Sequence, residues 1–195
     1  LSSNKQLWLL AGGNGAGKST FYQSRLTSLG IPFINADVIA KELHPEAPER
    51  FSYEGAKLAE QMRLRLLQEG RSFCFETVFS HSSKIDFVAR AKALGYQVIL
   101  VFIHLDNSAL NKARVSQRVS EGGHHVPEDK VDSRIPRLLE NIKVVIPLCD
   151  HVRILDNSRA DNPFQQLVTI RNGEIEIDCL DLPGWLDEML SPRKP

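Results

Sequence analysis

The sequence predicts an α/β protein: a five-stranded, mostly parallel, doubly wound sheet with helices on both faces. Three observations carry that prediction. Apolar runs of strand length alternate with stretches of helical spacing through most of the chain. Residues 97–104 are apolar almost throughout, as in a strand covered on both faces. Residues 7–11 form another such run, followed at once by a glycine-rich turn and a helical stretch.

The elements follow in order. Leu7-Trp8-Leu9-Leu10-Ala11 reads as the first strand and residues 19–29 as the first helix. Gly30 and Pro32 mark a turn, and residues 32–35 read as a short second strand. Residues 38–43 give one or two helical turns, stopped by His44-Pro45 and Pro48. Ala56, Ala59, Met62, Leu66 and Leu67 recur at helical spacing within 53–68, and Gly70 ends that helix. Residues 72–75 read as the third strand, 82–94 as a helix closed by Gly95, and 97–104 as the fourth strand. A polar, arginine-rich helix over 108–121 is broken at Gly122-Gly123-His124-His125-Val126-Pro127 and resumes over 128–142. Residues 151–155 read as the fifth strand. Alternating stretches at 167–171 and 174–177 flank Asn172-Gly173, the signature of a tight primed hairpin, and 182–190 reads as a closing helix. The expected organisation is one domain over 1–195, with a helical lid at about 114–140 and a C-terminal hairpin and helix at about 166–190.

Composition narrows the function classes. The chain of 195 residues is long enough for a substantial core. Its 24 basic and 24 acidic residues balance, and with 7% aromatic content there is no strong nucleic-acid signal. No apolar stretch approaches a membrane span. Cys74, Cys149 and Cys179 form neither a metal-spaced pair nor a disulfide framework, which points to a cytoplasmic protein. Cys74, inside an apolar run, reads as a small core residue.

The segment Gly12-Gly13-Asn14-Gly15-Ala16-Gly17-Lys18-Ser19 fits G-x-x-x-x-G-K-[ST] at every fixed position. Its backbone N–H groups and the helix that follows would cradle phosphates. Lys18 would reach the β- and γ-phosphates, and Ser19 would hold Mg²⁺. Strand ends in such sheets carry the ligand sites. Asp37, after the second strand, is placed to take a proton from an attacking hydroxyl or to cap the next helix. Glu76 and Thr77, after the third, would contact substrate hydroxyls or a water on Mg²⁺, or serve as loop and cap residues. Ser80, His81 and Ser82 extend this polar cluster, with His81 read as a loop residue. Arg114 and Arg118 share one helix face, and Arg134 and Arg137 share the next. Alone they describe a solvated helical hairpin paired with Glu121, Glu128, Asp129 and Asp132. Beside a phosphate loop, a lid neutralising a phosphoryl group in transit is preferred. His124-His125 lacks further ligands at metal spacing and reads as lid structure. Asp156-Asn157-Ser158, after the fifth strand, is a turn or a loop beside the adenine or the phosphate loop.

Taken together, these pieces resemble the zeta-toxin family of P-loop kinases. The resemblance rests on Gly12 to Thr20, Ile34-Asn35-Ala36-Asp37, Phe75-Glu76-Thr77, and Arg114-Val115 through Arg118-Val119. It continues with Glu121-Gly122-Gly123-His124, Val126-Pro127, Arg134 and Asp156-Asn157-Ser158. It implies a P-loop NTPase fold and an ATP- and Mg²⁺-dependent kinase, with the loop from Gly12 to Thr20 as the nucleotide site. Characterised family members phosphorylate the 3′-hydroxyl of the sugar in UDP-N-acetylglucosamine and are restrained by a small antitoxin protein. By residue matching, Asp37 is the general base, Arg118 and Arg134 stabilise the γ-phosphate, and Glu76 and Thr77 line the substrate pocket. Arg137 competes with Arg134 for the second arginine's place. This chain is shorter than the family's longer toxins, so the acceptor is a sugar nucleotide or another small molecule such as a nucleoside or nucleotide. A partner-dependent ATPase switch is the reading from a different class. It has no Leu-Ser-Gly-Gly-Gln-like signature here to support it, and the third strand ends in Glu76-Thr77 rather than paired acids.

Overall fold

The computed structural model describes residues 5–120 and 127–190. Seven strands form one sheet in the order β2-β3-β1-β4-β5-β6-β7. They are β1 (Gln6–Ala11), β2 (Phe33–Ile34), β3 (Phe73–Thr77), β4 (Gln97–His104), β5 (His151–Asp156), β6 (Gln165–Arg171) and β7 (Glu174–Ile177). The first five pair in parallel, and β6 and β7 continue the sheet antiparallel from β5. The expected hairpin therefore exists, turning through Asn172 and Gly173 at positive φ. It extends the sheet beyond the five strands expected. Its role as an edge is set by the pairing of His151 with Arg171 and Val152 with Ile170, which no local signal announces.

The helices are α1 (Lys18–Phe21), α2 (Ala36–Leu43), α3 (Ser52–Gln68), α4 (Ser83–Ala93), α5 (Ser108–Ser120), α6 (Glu128–Val145) and α7 (Gly184–Leu190). Side chains alternate across the strands and build two cores. Leu7, Leu9, Val98, Leu100, Phe102, Val152 and Ile154 face one side, where α3, α4, α6 and α7 pack. Leu10, Val101, Ile103 and Leu155 face the other, where Phe21, Tyr22 and Leu26 cover them. Both faces carry helix, as expected, but unequally. The first helix is also less regular than the sequence suggests, passing into a π-helical turn at Tyr22–Leu26 and a 3₁₀ turn at Thr27–Leu29. Ser24 and Thr27 donate back to the carbonyls of Thr20 and Gln23 at 2.9 and 2.6 Å. Such back-bonding competes with the α-helical ladder and loosens it.

In α3 the buried stripe differs from the expected one. Gly55, Ala59, Arg63, Leu66 and Leu67 are buried, whereas Met62 is 37% exposed and Ala56 is exposed. Cys74 is fully buried in β3, and its burial raises the thiol pKa, as a core residue requires. Among the described residues no helix is long and apolar enough to cross a membrane.

Candidate active site

The central strand β1 lies between β3 and β4. Ala11 is level with Thr77 on one side and Phe102 on the other. The glycine loop therefore leaves the sheet where the carboxyl ends of β3 and β4 meet it, the place at which open α/β sheets bind ligands. Two of its glycines are required by conformation. Gly15 and Gly17 have φ of 76° and 94°, and Gly17 is the residue from which α1 starts. A Cβ on Gly17 would also meet the Asn157 amide nitrogen at 2.6 Å.

Two asparagines distant in sequence fix this loop. Asn157 Nδ2 donates to the Ala16 carbonyl at 2.9 Å, and its Oδ1 accepts from the Phe164 N–H at 3.2 Å. Asn111, on α5, donates to the Asn14 carbonyl at 2.7 Å. Of the two positions left open for Asp156-Asn157-Ser158, the asparagine thus lies at the phosphate loop.

Lys18 is 6% exposed. Its Nζ donates to the carbonyls of Gly12 and Gly13, both at 3.0 Å, and lies 3.6 Å from Glu76 Oε1. Burial lowers its pKa, while the Glu76 and Asp37 carboxylates oppose that shift. Glu76 Oε2 accepts from the Ser19 hydroxyl at 2.7 Å and from Asn35 Nδ2 at 2.8 Å. Glu76 is thus the hub joining the loop lysine, the hydroxyl that follows it and the N-cap of α2. Both Glu76 and Thr77 end β3 rather than follow it. Thr77 Oγ1 accepts from the Phe79 N–H at 3.0 Å.

Asp37 is not the cap of its helix, as one of the two sequence readings had it. Asn35 takes that place, accepting from the N–H groups of Asp37 and Val38 at 2.9 and 3.3 Å. Asp37 lies in the first turn of α2, and it lines the cavity together with Lys18, Glu76, Thr77, Arg118 and Arg134. That cavity measures about 660 Å³, a volume suited to a small-molecule ligand.

The arginines divide. Arg118 lines the cavity close enough for its charge to lower the Lys18 pKa. Arg134 Nη1 donates to Asn14 Oδ1 in the phosphate loop at 3.3 Å. Arg137 is exposed, and its Nε donates to the Ser133 carbonyl at 3.2 Å. Arg114 lies against the loop, its Cβ 3.3 Å from where a Cβ on Gly15 would sit. Two of the carboxylates expected as arginine partners, Glu128 and Asp132, instead lie 3.8 and 3.2 Å from Lys112 Nζ, while Val115 and Val131 pack α5 on α6. The Gly-Gly-His-His break and Glu121 lie outside the described residues. His81 is exposed; its Nδ1 accepts from the Ser83 N–H at 3.2 Å, a local loop role.

Sequence reasoning passed over Asn35, Asn111 and Arg63. Asn35 had a signal, since asparagine one position before a helix is a strong N-cap. Arg63 also had one: it falls four residues after Ala59 and three before Leu66, on the buried face.

Comparison with known proteins places the chain. The family described as Zeta toxin matches residues 2–165. An uncharacterised protein of Haemophilus influenzae is 30% identical over 137 residues, which is 67% of this chain and 97% of that protein. Among solved structures, the AvrRxo1-ORF1:-ORF2 structure with ATP is similar with a TM-score of 0.74 at 20% identity, covering 91% of this chain and 61% of that one. This chain therefore spans about three-fifths of that relative's length. A structure from the PezAT chromosomal toxin-antitoxin system of Streptococcus pneumoniae is similar with a TM-score of 0.63 at 18% identity, covering 82% of this chain and 70% of that one. At these identities the structures show a shared fold, and the match over most of the sequence shows the lineage: the chain belongs to the zeta toxin family.

Proposed function

We propose that the protein is an ATP-dependent phosphotransferase that moves the γ-phosphoryl group of ATP to a hydroxyl of UDP-N-acetylglucosamine or a related sugar nucleotide. One observation carries the reading: the phosphate loop and a carboxylate free of capping duty, Asp37, line the same cavity. Family membership and the fold shared with an ATP-bound relative support it.

In this account the loop from Gly12 to Thr20 binds the phosphates of ATP. Lys18 shifts from the Gly12 and Gly13 carbonyls to the β- and γ-phosphates. Asp37 accepts the proton of the acceptor hydroxyl as its oxygen attacks the γ-phosphorus. The bond from that phosphorus to the β-bridging oxygen breaks, and ADP leaves with the electron pair. Arg118 and Arg134 balance the charge on the transferring group. Glu76 and Thr77 line the acceptor side. The Ser19 hydroxyl and the Glu76 carboxylate form an oxygen donor set of the kind Mg²⁺ uses. These two residues would hold the ion, whose chemistry there would be neutralisation of phosphate charge. The likeness to a toxin-antitoxin structure supports a protein antitoxin as partner.

The test is ADP release from ATP and Mg²⁺ with a panel of UDP-sugars, nucleosides and nucleotides. The reading predicts release that depends on an acceptor and is greatest with a UDP-sugar. ATP hydrolysis that needs a protein partner and no small-molecule acceptor would contradict it.

A further inference from the structure

Besides the exposed Lys130, the cavity holds two cations that the phosphoryl-transfer chemistry does not use. Arg63, on α3, is 6% exposed. Its guanidinium carbon lies 5.1 Å from the centroid of the Phe75 ring and 5.8 Å from that of Phe87. Its Nε is buried without a hydrogen-bond partner, and the side chain lines the cavity. Lys84, in the first turn of α4, lines the same cavity and is half-buried. Among the described residues neither side chain forms an ion pair. Burial and the charge of Arg63 lower the Lys84 pKa, and Glu60 opposes the shift from the exposed face of α3.

This arrangement is costly unless something answers it. An arginine carries five N–H donors. Stacking on two phenylalanines favours the cation but leaves the buried Nε donor unmet. Holding a second cation nearby adds repulsion. Buried charges are normally paired, and no carboxylate of the cavity is paired with either of these. The cavity's lysines and arginines also outnumber its carboxylates, Asp37, Glu49 and Glu76. ATP would occupy Lys18, Arg118 and Arg134, and Lys130 is exposed, leaving Arg63 and Lys84 as the less exposed cations for the other ligand. The two also lie on a different side of the sheet from α1. Phe75 and Phe87 belong to the core under α3 and α4, whereas Phe21 and Tyr22 cover the opposite face.

We infer that Arg63 and Lys84 form an anion subsite for the phosphoryl acceptor, which therefore carries a phosphate or pyrophosphate group as well as the reacting hydroxyl. A planar guanidinium fork beside an ammonium suits a multiply charged phosphate; a single carboxylate needs only one of them. The identification of the ligand as the acceptor rests on the function proposed above, but the subsite can be tested without it.

The test is calorimetric titration of inorganic phosphate into the full chain, with the donor site saturated by Mg²⁺ and a non-hydrolysable ATP analogue. The expected result is one saturable site, weakened at least about tenfold by Arg63→Gln and by Lys84→Gln, and partly restored by Arg63→Lys. Lys84 is half-buried, so Lys84→Gln reports on the subsite even where Arg63→Gln does not fold. No saturable binding to the donor-saturated protein, or equal binding by wild type and Lys84→Gln, would overturn the subsite. So would tighter binding of malonate than of phosphate. In the kinase assay, Arg63→Gln should raise KM for a phosphate-bearing acceptor at least about tenfold while kcat changes little. Phosphate binding with these variant effects, but without acceptor phosphorylation, would sustain the subsite while refuting the kinase reading.

Discussion

Removing the charge of Glu76 tests the electrostatic logic of the site without any substrate. Glu76→Gln keeps the side-chain shape but takes the only carboxylate among the described residues in ion-pair range of Lys18 away from an ammonium that is 6% exposed. It also weakens the acceptor for the Ser19 hydroxyl and Asn35 Nδ2. Breaking a buried pair from one side costs about 3–5 kcal/mol. Glu76 is itself 14% exposed, so water offsets part of that, and a loss of about 2–3 kcal/mol is expected. Lys18→Met removes the other partner together with its desolvation cost, and should be nearly neutral. Once Lys18 is absent, Glu76→Gln should cost only about 1 kcal/mol. The double-mutant cycle should therefore show a coupling of about 1–2 kcal/mol, read from urea midpoints that shift by about 1 M for Glu76→Gln alone. Additivity within about 0.5 kcal/mol would refute the claim that Glu76 compensates the buried lysine.

Three further predictions follow from the same geometry. Asn157→Ala removes two hydrogen bonds at the phosphate loop, and should cost about 2 kcal/mol in urea unfolding and weaken ATP binding about tenfold. Arg134→Ala should lower the transfer rate at least about a hundredfold, while Arg137→Ala should stay within about threefold in the same assay, because Arg134 alone of the two reaches the loop. His104, buried against Phe102 and Trp185, has its pKa lowered to about 4 by desolvation. Between that value and the unfolded value near 6.5 the unfolded chain binds the extra proton, so stability is full above about pH 7 and falls as pH drops towards 4. Relative to His104→Gln, the wild type should lose about 3 kcal/mol across that window, measured by urea midpoints at each pH.

Much of the fold was legible because its signals are local. The apolar run at Gln97–His104 became β4 without adjustment, and Asn172-Gly173 turned the hairpin where expected. The joining of that hairpin to β5 was not legible, since strand pairing depends on register across the sheet rather than on the segment itself. The regularity of the first helix was overestimated because the hydroxyls of Ser24 and Thr27 compete for its carbonyls. At the site, the phosphate loop announced itself, but the residues that hold it did not. Asn111 and Asn157 reach it from 97 and 141 residues away, and a single asparagine in a polar stretch carries no mark of its partner. Asp37 could not be separated from a cap by its own position. The asparagine two residues earlier settles that point, and only the folded chain shows Asp37 and Lys18 lining one cavity.

The central claim is that the phosphate loop and Asp37 are the donor and acceptor halves of one transfer site. It is tested most directly by the mass of the products formed from ATP, Mg²⁺ and UDP-N-acetylglucosamine by the wild type and Asp37→Asn side by side. The account predicts a UDP-sugar heavier by one phosphoryl group with the wild type and at least about a thousandfold less with Asp37→Asn. Equal product from Asp37→Asn, or no phosphorylated small molecule from the wild type with any acceptor tried, would contradict it.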